Sequence, residues 1–247
     1  MLLTARSRAR IVLPLARRLL AEFVGTAALV AVVVGSGIAA VRLSPNDVGL
    51  QLLQNSTATV LGLAVLTLLF APVSGAHFNP VVSAADWLLG RRTGTGLSLP
   101  EVAVYTVVQL AGGIGGAVLA NLMFELPAVQ TASTDRITAG HLLGEVVATA
   151  GLVVVVFGLV RSGRAVLAAP AVASWIGAAY WFTSSTSFAN PAVTVGRVFS
   201  DTFTGIAPGS VTGFVAAQFV GGLAGLGLVA VLYPHSAETA LAQRSSP

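Results

Sequence analysis

The chain of 247 residues is 55% apolar and only 9% charged, with a mean hydropathy of +0.87, values that lie outside the range of soluble domains and predict an integral membrane protein. The net charge of +4 is the balance of 13 arginines against nine acidic residues, and the arginines are scattered at the ends of apolar runs, which argues against a nucleic-acid-binding surface. The chain contains no cysteine, which excludes disulfides, thiolate metal sites and cysteine nucleophiles.

The first apolar run follows a basic segment. Residues 1–17 are rich in arginine, and the apolar run that begins near residue 19 continues to residue 41. A signal peptide would have a short apolar core followed by a small-residue cleavage site. We therefore expect a retained first membrane helix behind a basic, cytoplasmic N-terminal segment.

Six stretches are long and apolar enough to cross a membrane, which takes about 20 residues. They are residues 19–41, 50–71, 101–124, 139–160, 165–184 and 209–233. Two shorter runs, 79–89 and 190–200, each begin at an Asn-Pro pair and are too short to span. Such segments are tolerated at membrane depth only where they line a cavity or are buried in protein. The predicted fold is an all-α membrane protein with six transmembrane helices and two re-entrant half-helices.

Arginine placement predicts the orientation, because cytoplasmic loops carry the excess of basic residues. With the N-terminus inside, the inner segments hold Arg6, Arg8, Arg10, Arg17, Arg18, Arg91, Arg92, Arg161, Arg164 and Arg244. The outer segments hold Arg42, Arg136 and Arg197. We therefore expect both termini in the cytoplasm.

The two halves of the chain repeat. LLAEFVGTAALVAVVVGSG at 19–37 has a weak echo at 141–159, with Glu22 matching Glu145, and FNPVVSAADWLLG at 78–90 is echoed at 189–201. Three spans per half is an odd number, so the second copy is inverted in the bilayer. Inverted repeats with broken helices place their solute path at the midplane. We predict one domain at 18–234, with repeats at about 18–124 and 139–234, and a flexible tail at 235–247.

Paired small residues predict close helix crossings. Gly112 and Gly116 are four residues apart in the third span, and Gly221 and Gly225 are four apart in the sixth. This spacing lets two helix backbones approach closely.

The two Asn-Pro turns are the predicted sites where a solute forms hydrogen bonds and cations are repelled. Proline suits the first turn of a helix and asparagine caps it, and two such helix ends facing each other near the midplane each carry about half a positive charge. We expect the amides of Asn79 and Asn190 to donate hydrogen bonds into a lumen that repels cations and protons. The two turns are Asn79, Pro80, Val81 and Asn190, Pro191, Ala192. The predicted acceptors are the backbone carbonyls of Gly75, Ala76, His77, Phe78, Thr186, Ser187 and Phe188. The path suits small neutral solutes.

The segments SGAHFNPVVSAADWLLG, TSSTSFANPAVTVGR, LAEFVGT and LPEVAVYTVVQLAGG, with the six-helix layout, resemble the aquaporin, or major intrinsic protein, family over residues 18–234. Val81 departs from the alanine expected there. The resemblance implies a lipid-embedded homotetramer with one pore per subunit and no cofactor or metal. It also implies that Glu22 and Glu145 brace the re-entrant loops, where membrane carboxylates alone would suggest a proton relay.

The resemblance further implies an outer selectivity filter at Leu61, Ala178, Ser187 and Val193. Water channels usually hold phenylalanine, histidine, a small residue and arginine at these places, so this filter is expected to be wide and apolar. The pattern resembles bacterial aquaporins linked to arsenic resistance, which implies a bacterial plasma-membrane channel for arsenite and other metalloid hydroxides, methylated arsenicals included. A general water and glycerol channel without an arsenic role remains the alternative within channels. An alternating-access transporter and an intramembrane enzyme are alternatives from other classes.

The remaining arginine of this region is Arg197, four residues beyond Val193 on the same helix face and about 6 Å further out. One hypothesis puts its charge in the outer vestibule, where it rejects cations. The other pairs it with Asp201 at the surface. We expect the tyrosines and tryptophans, Tyr180 included, to serve as packing or interface anchors.

Overall fold

A computed structural model describes residues 13–91 and 93–234, and within them the chain forms eight α-helices. They are α1 (Leu15–Leu43), α2 (Val48–Ser74), α3 (Pro80–Gly90), α4 (Leu99–Met123), α5 (Ala139–Arg161), α6 (Ala168–Phe182), α7 (Pro191–Gly196) and α8 (Pro208–Leu232). The predicted tail at 235–247, most of the predicted basic segment at 1–17, and Arg92 lie outside the described residues.

The six long helices α1, α2, α4, α5, α6 and α8 are apolar enough to cross a membrane, α6 together with the 3₁₀ turn Ala165–Leu167 that precedes it. The other two begin at proline immediately after an asparagine cap, as the sequence predicts. α7 ends after six residues and continues as the 3₁₀ turn Arg197–Phe199. The predicted fold class is confirmed, with helix ends within four residues of those expected.

The two repeats pack alike. α1 packs against α2 and α4, while α5 packs against α6 and α8, and α2 and α6 join the halves. A Cβ at Gly112 or Gly116 would overlap the backbone of α1, and one at Gly221 or Gly225 would overlap the backbone of α5. The glycine pairs therefore permit the close crossings that their spacing predicts.

The half-helices enter the bundle from opposite ends. We call the end that holds the start of α1 and the end of α3 the basic face, and the end that holds residues 124–138 the loop face. α2 ends at Ser74, and the capping Gly75 has a left-handed conformation with φ of 96°, which turns the chain back toward the bundle centre. The second re-entrant turn, 183–190, follows α6 at the loop face, where the capping Thr183 is extended with φ of −103°. The starts of α3 and α7 consequently meet inside the protein.

Candidate solute pathway

A cavity of about 730 Å³ runs between the two repeats and is lined by residues from both. It extends from Arg18 and Leu97 near the basic face, past the two asparagines, to Tyr180 and Arg197 toward the loop face. The volume lies in the range of small-molecule sites. No cluster of three histidine, aspartate or glutamate side chains that could hold a metal ion occurs within the described residues.

The two Asn-Pro turns bind each other at the centre of this cavity. Asn79 Nδ2 donates to the carbonyl of Ala189 at 2.8 Å, and Asn190 Nδ2 donates to the carbonyl of Phe78 at 2.7 Å. Each side-chain oxygen accepts from the N–H two residues on, at Val81 and Ala192, and so caps its half-helix. Because a side-chain amide carries two N–H groups, each asparagine that lines the cavity retains one donor.

Glu22 on α1 holds the first turn. Its Oε1 accepts from the backbone N–H of His77 at 3.0 Å and from Ser74 Oγ at 2.6 Å. Its Oε2 accepts from the N–H of Phe78 at 2.7 Å and from Gln109 Nε2 at 2.8 Å. The fully buried carboxyl group therefore satisfies two backbone donors that no helix can satisfy.

Glu145 on α5 holds the second turn by the same means. Its two oxygens accept from the N–H groups of Phe188 at 2.9 Å and Ala189 at 2.8 Å, and from Gln218 Nε2 at 2.6 Å. Gln218 also donates to Thr194 Oγ1, just as Gln109 donates to Ser83 Oγ in the first repeat. Both glutamates thus make the backbone hydrogen bonds that the family resemblance implies.

Both turns depend on left-handed backbone conformations. Ala76, Phe78, Thr186, Ser187 and Ala189 have φ between 47° and 60°, a region that non-glycine residues seldom adopt. The glutamate hydrogen bonds hold this strained backbone in place. All the predicted carbonyl acceptors of the pathway belong to residues that line the cavity, except that of Thr186.

Only two of the four predicted filter residues line the cavity. Ser187 and Val193 line the cavity, and Ser187 Oγ has no hydrogen-bond partner within the described part of the chain. Leu61 and Ala178 instead lie in a groove on the outside of the bundle between α2 and α6. Leu61 is 63% exposed, so its assignment to the filter is wrong, and so is that of Ala178.

The helices α2 and α6 present other residues to the cavity: Thr59, Leu63, Ile176 and Tyr180. Each lies two positions from the predicted one, which is a rotation of about 200° around a helix axis. The hydroxyls of Thr59 and Tyr180 are hydrogen-bonded at 3.2 Å. Tyr180 therefore lines the cavity in addition to packing in the buried core, which is the role expected of it. The spacing of Thr59, Leu63 and Thr67, four residues apart, was the signal that could have identified this face.

Arg197 lies inside the protein at the end of the cavity nearest the loop face. It is 2% exposed, its guanidinium carbon is 3.4 Å from the centre of the Phe188 ring, and its Nε donates to the carbonyl of Thr204. Asp201 does not pair with it but accepts from the backbone and hydroxyl of Ser133 at 2.9 Å. The hypothesis of a surface pair between Arg197 and Asp201 is therefore wrong.

Val81, the departure from the expected alanine, does not line the cavity. It is 2% exposed and packs against α8, where a Cβ on Gly222 would come within 2.5 Å of Val81 Cγ1. The glycine in α8 makes room for the larger side chain, so the altered motif leaves Asn79 and its cap in place.

Comparisons with known proteins agree with this architecture. The sequence profile described as Major intrinsic protein matches residues 12–186. The aquaglyceroporin AqpS of Rhizobium meliloti (strain 1021) is 46% identical over 216 residues, which cover 87% of this chain and 89% of that protein. The X-ray structure of the aquaglyceroporin from Plasmodium falciparum superposes with a TM-score of 0.66 at 20% identity, covering 87% of this chain and 96% of that one.

Two further bacterial relatives match over shorter segments. The propanediol uptake facilitator PduF of Citrobacter freundii is 32% identical over 123 residues, or 50% of this chain and 43% of that protein. The glycerol uptake facilitator protein of Pseudomonas aeruginosa is 32% identical over 122 residues, or 49% of this chain and 40% of that protein. With the matching profile and the long AqpS alignment, these findings show that the chain belongs to the major intrinsic protein family, a family of membrane channels for small neutral solutes rather than enzymes.

Proposed function

We propose that the protein is a passive channel for small uncharged polyhydroxyl solutes, arsenous acid and glycerol among them, and for water. The observation that carries this proposal is the arrangement of Val193 and Arg197. Val193 contributes an apolar wall to the cavity directly after the second Asn-Pro-Ala turn, where water channels usually hold an arginine. The arginine of this chain comes four residues later and lies against Phe188. A pathway without a guanidinium at position 193 has more room for solutes bulkier than water.

The polar groups along the cavity suit such solutes. The free N–H groups of Asn79 and Asn190 donate to a hydroxyl oxygen, and the carbonyls of the two turns accept from hydroxyl protons. A neutral polyol can exchange its water for these partners one group at a time, whereas an ion would lose its hydration without a counter-charge.

The chain also lacks groups that would trap a metalloid. Trivalent arsenic binds thiolates, and the sequence contains no cysteine, so arsenous acid would meet only oxygen and nitrogen partners. Its hydroxyl groups present the same hydrogen-bonding pattern as a small polyol. This similarity supports one pathway that conducts both arsenous acid and glycerol.

A general water and glycerol channel without an arsenic role is the second candidate. The names of the relatives favour it, because they are an aquaglyceroporin, a propanediol uptake facilitator and a glycerol uptake facilitator. The two candidates differ in whether arsenous acid passes at a rate comparable with that of glycerol.

We also propose a homotetramer in a bacterial plasma membrane, with both termini in the cytoplasm. Large apolar side chains on the outer surface of α2 support contact with lipid or a neighbouring subunit, since Leu61, Val65 and Leu68 are each at least 60% exposed. The excess of arginine on the basic face supports the orientation.

The test is paired stopped-flow measurement of arsenite, glycerol and water fluxes in proteoliposomes, for the parent, Val193→Arg and Val193→Met. Methionine has a long side chain but no charge, so it serves as the matched control. We expect the parent to pass all three solutes, Val193→Arg to reduce arsenite and glycerol flux by about tenfold, which corresponds to about 1.4 kcal/mol, and Val193→Met to have a smaller effect. Arsenite flux at the level of empty liposomes, with rapid glycerol flux, would leave the general channel as the function.

A further inference from the structure

At the loop face, two segments are hydrogen-bonded to each other, residues 130–136 and 198–207, and we call them the loop clamp. The N–H of Gln130 donates to the carbonyl of Phe199 at 3.3 Å, that of Ala132 to Val198 at 2.8 Å, and that of Ala207 to Thr134 at 2.8 Å. The segment between the third and fourth spanning helices is therefore fixed to the chain that follows α7, which is the chain that carries Arg197.

Arg136 connects the first segment of the loop clamp to the second. Its backbone N–H donates to Ser210 Oγ at 2.9 Å, which fixes its position at the start of α8. Its Nε donates to the carbonyl of Gly205 at 2.8 Å and its Nη2 to that of Phe203 at 3.2 Å. One guanidinium thus orients two carbonyls that are separated by a single residue.

Arg197 uses the carbonyl between these two. Its Nε donates to Thr204, so three consecutive carbonyls, at 203, 204 and 205, accept from two arginines in alternation. Both guanidinium groups also approach the Phe188 ring, Arg197 at 3.4 Å and Arg136 at 5.4 Å from its centre. Phe188 precedes the second asparagine by two residues and packs edge-on against Phe214 at 5.1 Å. The two arginines therefore share one backbone segment and one aromatic ring.

We propose that Arg136 is a positioning residue of the channel: it holds the carbonyls of 203–205 and thereby keeps the Arg197 guanidinium against Phe188 at the cavity wall. This inference deepens the proposed function, on which it rests, because it names what keeps the displaced arginine at the wall. Arg136 itself does not line the cavity, whereas Arg197 does.

An arginine side chain has several rotatable bonds and keeps one conformation only when its donors are engaged by fixed acceptors. The acceptor of Arg197 is a carbonyl in an irregular segment, whose direction is free unless its neighbours are held. In addition, the group that accepts from Arg197 Nε is the Thr204 carbonyl and not a carboxylate, and the two guanidinium groups repel each other unless carbonyl dipoles and the ring separate them.

The first experiment is a double-mutant cycle in proteoliposomes, with the proton leak relative to the glycerol flux as the readout. The variants are Arg136→Gln, Arg197→Ala and the double variant. The matched control is Arg42→Gln, because Arg42 also donates to a carbonyl, that of Phe124 at 2.8 Å, and lies 5.2 Å from the Phe124 ring, but away from the cavity.

We expect Arg136→Gln and Arg197→Ala each to raise the relative leak by about tenfold, the ratio that corresponds to one lost hydrogen bond of a charged group. The double variant should leak no more than Arg197→Ala alone, because Arg136 acts through Arg197. Additive effects, or no effect of Arg136→Gln where Arg197→Ala leaks, would overturn the proposal.

A second readout keeps the positioning role testable even if Arg197→Ala changes no flux, an outcome that would count against the vestibule role of Arg197. The chain has no cysteine, so Thr204→Cys introduces a single thiol at a residue that is 1% exposed. We expect this thiol to react slowly with a methanethiosulfonate reagent in the parent and Arg42→Gln backgrounds, and about tenfold faster with Arg136→Gln. Equal rates in all three backgrounds would show that Arg136 does not hold the segment.

Discussion

The two re-entrant turns are built alike up to their asparagines and differ beyond them. In each, a buried glutamate accepts from two backbone N–H groups of the loop, and a glutamine supports that glutamate. In each, the asparagine caps its own half-helix and donates to the carbonyl that precedes the other asparagine. The shared parts are those that fix irregular backbone in the interior, where every polar group needs a partner.

Past the asparagines, the two half-helices meet different surroundings. Val81 follows the first Asn-Pro pair and packs against Gly222, whereas Ala192 follows the second and lies where a Cβ on Gly113 would meet its carbonyl. Both half-helices continue along the cavity wall, the first with Val82 and Asp86 and the second with Val193 and Arg197. The comparison teaches that the repeat preserves the support of the turns, whereas the side chains that the two half-helices present to the cavity differ, with an aspartate in the first and an arginine in the second.

The largest expected effect on stability follows from changing the buried glutamates that support the two turns. Glu145→Gln replaces one acceptor oxygen by an NH₂ group that faces the N–H donors of the loop, and Glu22→Gln does the same in the first turn. Each change leaves buried donors unpaired, so we expect a loss of about 3 kcal/mol or more in the free energy of unfolding. The measurement is thermal unfolding of the purified protein in detergent.

The matched control is Glu125→Gln, at an exposed glutamate outside both turns, which we expect to be neutral. Similar losses for the two buried glutamates would support the equivalence of the turns. A stable Glu22→Gln beside an unstable Glu145→Gln would break the comparison.

The next effect concerns the contact that differs between the halves. Gly222→Ala brings a Cβ against Val81, and we expect the overpacking to cost about 1–3 kcal/mol. Val81→Ala in the same chain should restore the lost stability, because it removes the Val81 Cγ1 atom that the new Cβ at position 222 would contact. Gly227→Ala on the same helix, where a Cβ meets nothing within 4 Å, is the control. Failure of Val81→Ala to rescue would show that the cost arises elsewhere.

Tryptophan substitutions at two leucines of α2 should have smaller effects on stability but clearly different effects on glycerol flux. Leu63 lines the cavity and is 8% exposed, while Leu61 is 63% exposed on the outer surface. We expect Leu63→Trp to reduce glycerol flux by about tenfold or more, since an indole fills the space of the solute. Leu61→Trp should leave glycerol flux unchanged in the same proteoliposome assay, and a loss there would return Leu61 to the pathway.

The sequence predicted the fold and the asparagine turns because these depend on local signals. Hydropathy gives the spans, and an Asn-Pro pair ahead of a short apolar run gives the half-helices. It could not place Leu61 and Ala178, because an error of two residues in aligning an apolar helix turns a side chain to the opposite face. Nor could it settle Arg197, whose position depends on a carbonyl and a ring supplied by distant or irregular parts of the chain.

The most direct test of the central claim is to move the arginine back. The variant Val193→Arg with Arg197→Val keeps the composition of the chain and changes only where the charge lies, and the measured quantity is the ratio of water to glycerol flux in proteoliposomes. We predict a ratio about tenfold higher than in the parent, because a guanidinium at position 193 narrows the pathway and excludes the polyol. An unchanged ratio in a folded variant would contradict the account, since the position of the arginine would then not decide which solutes pass.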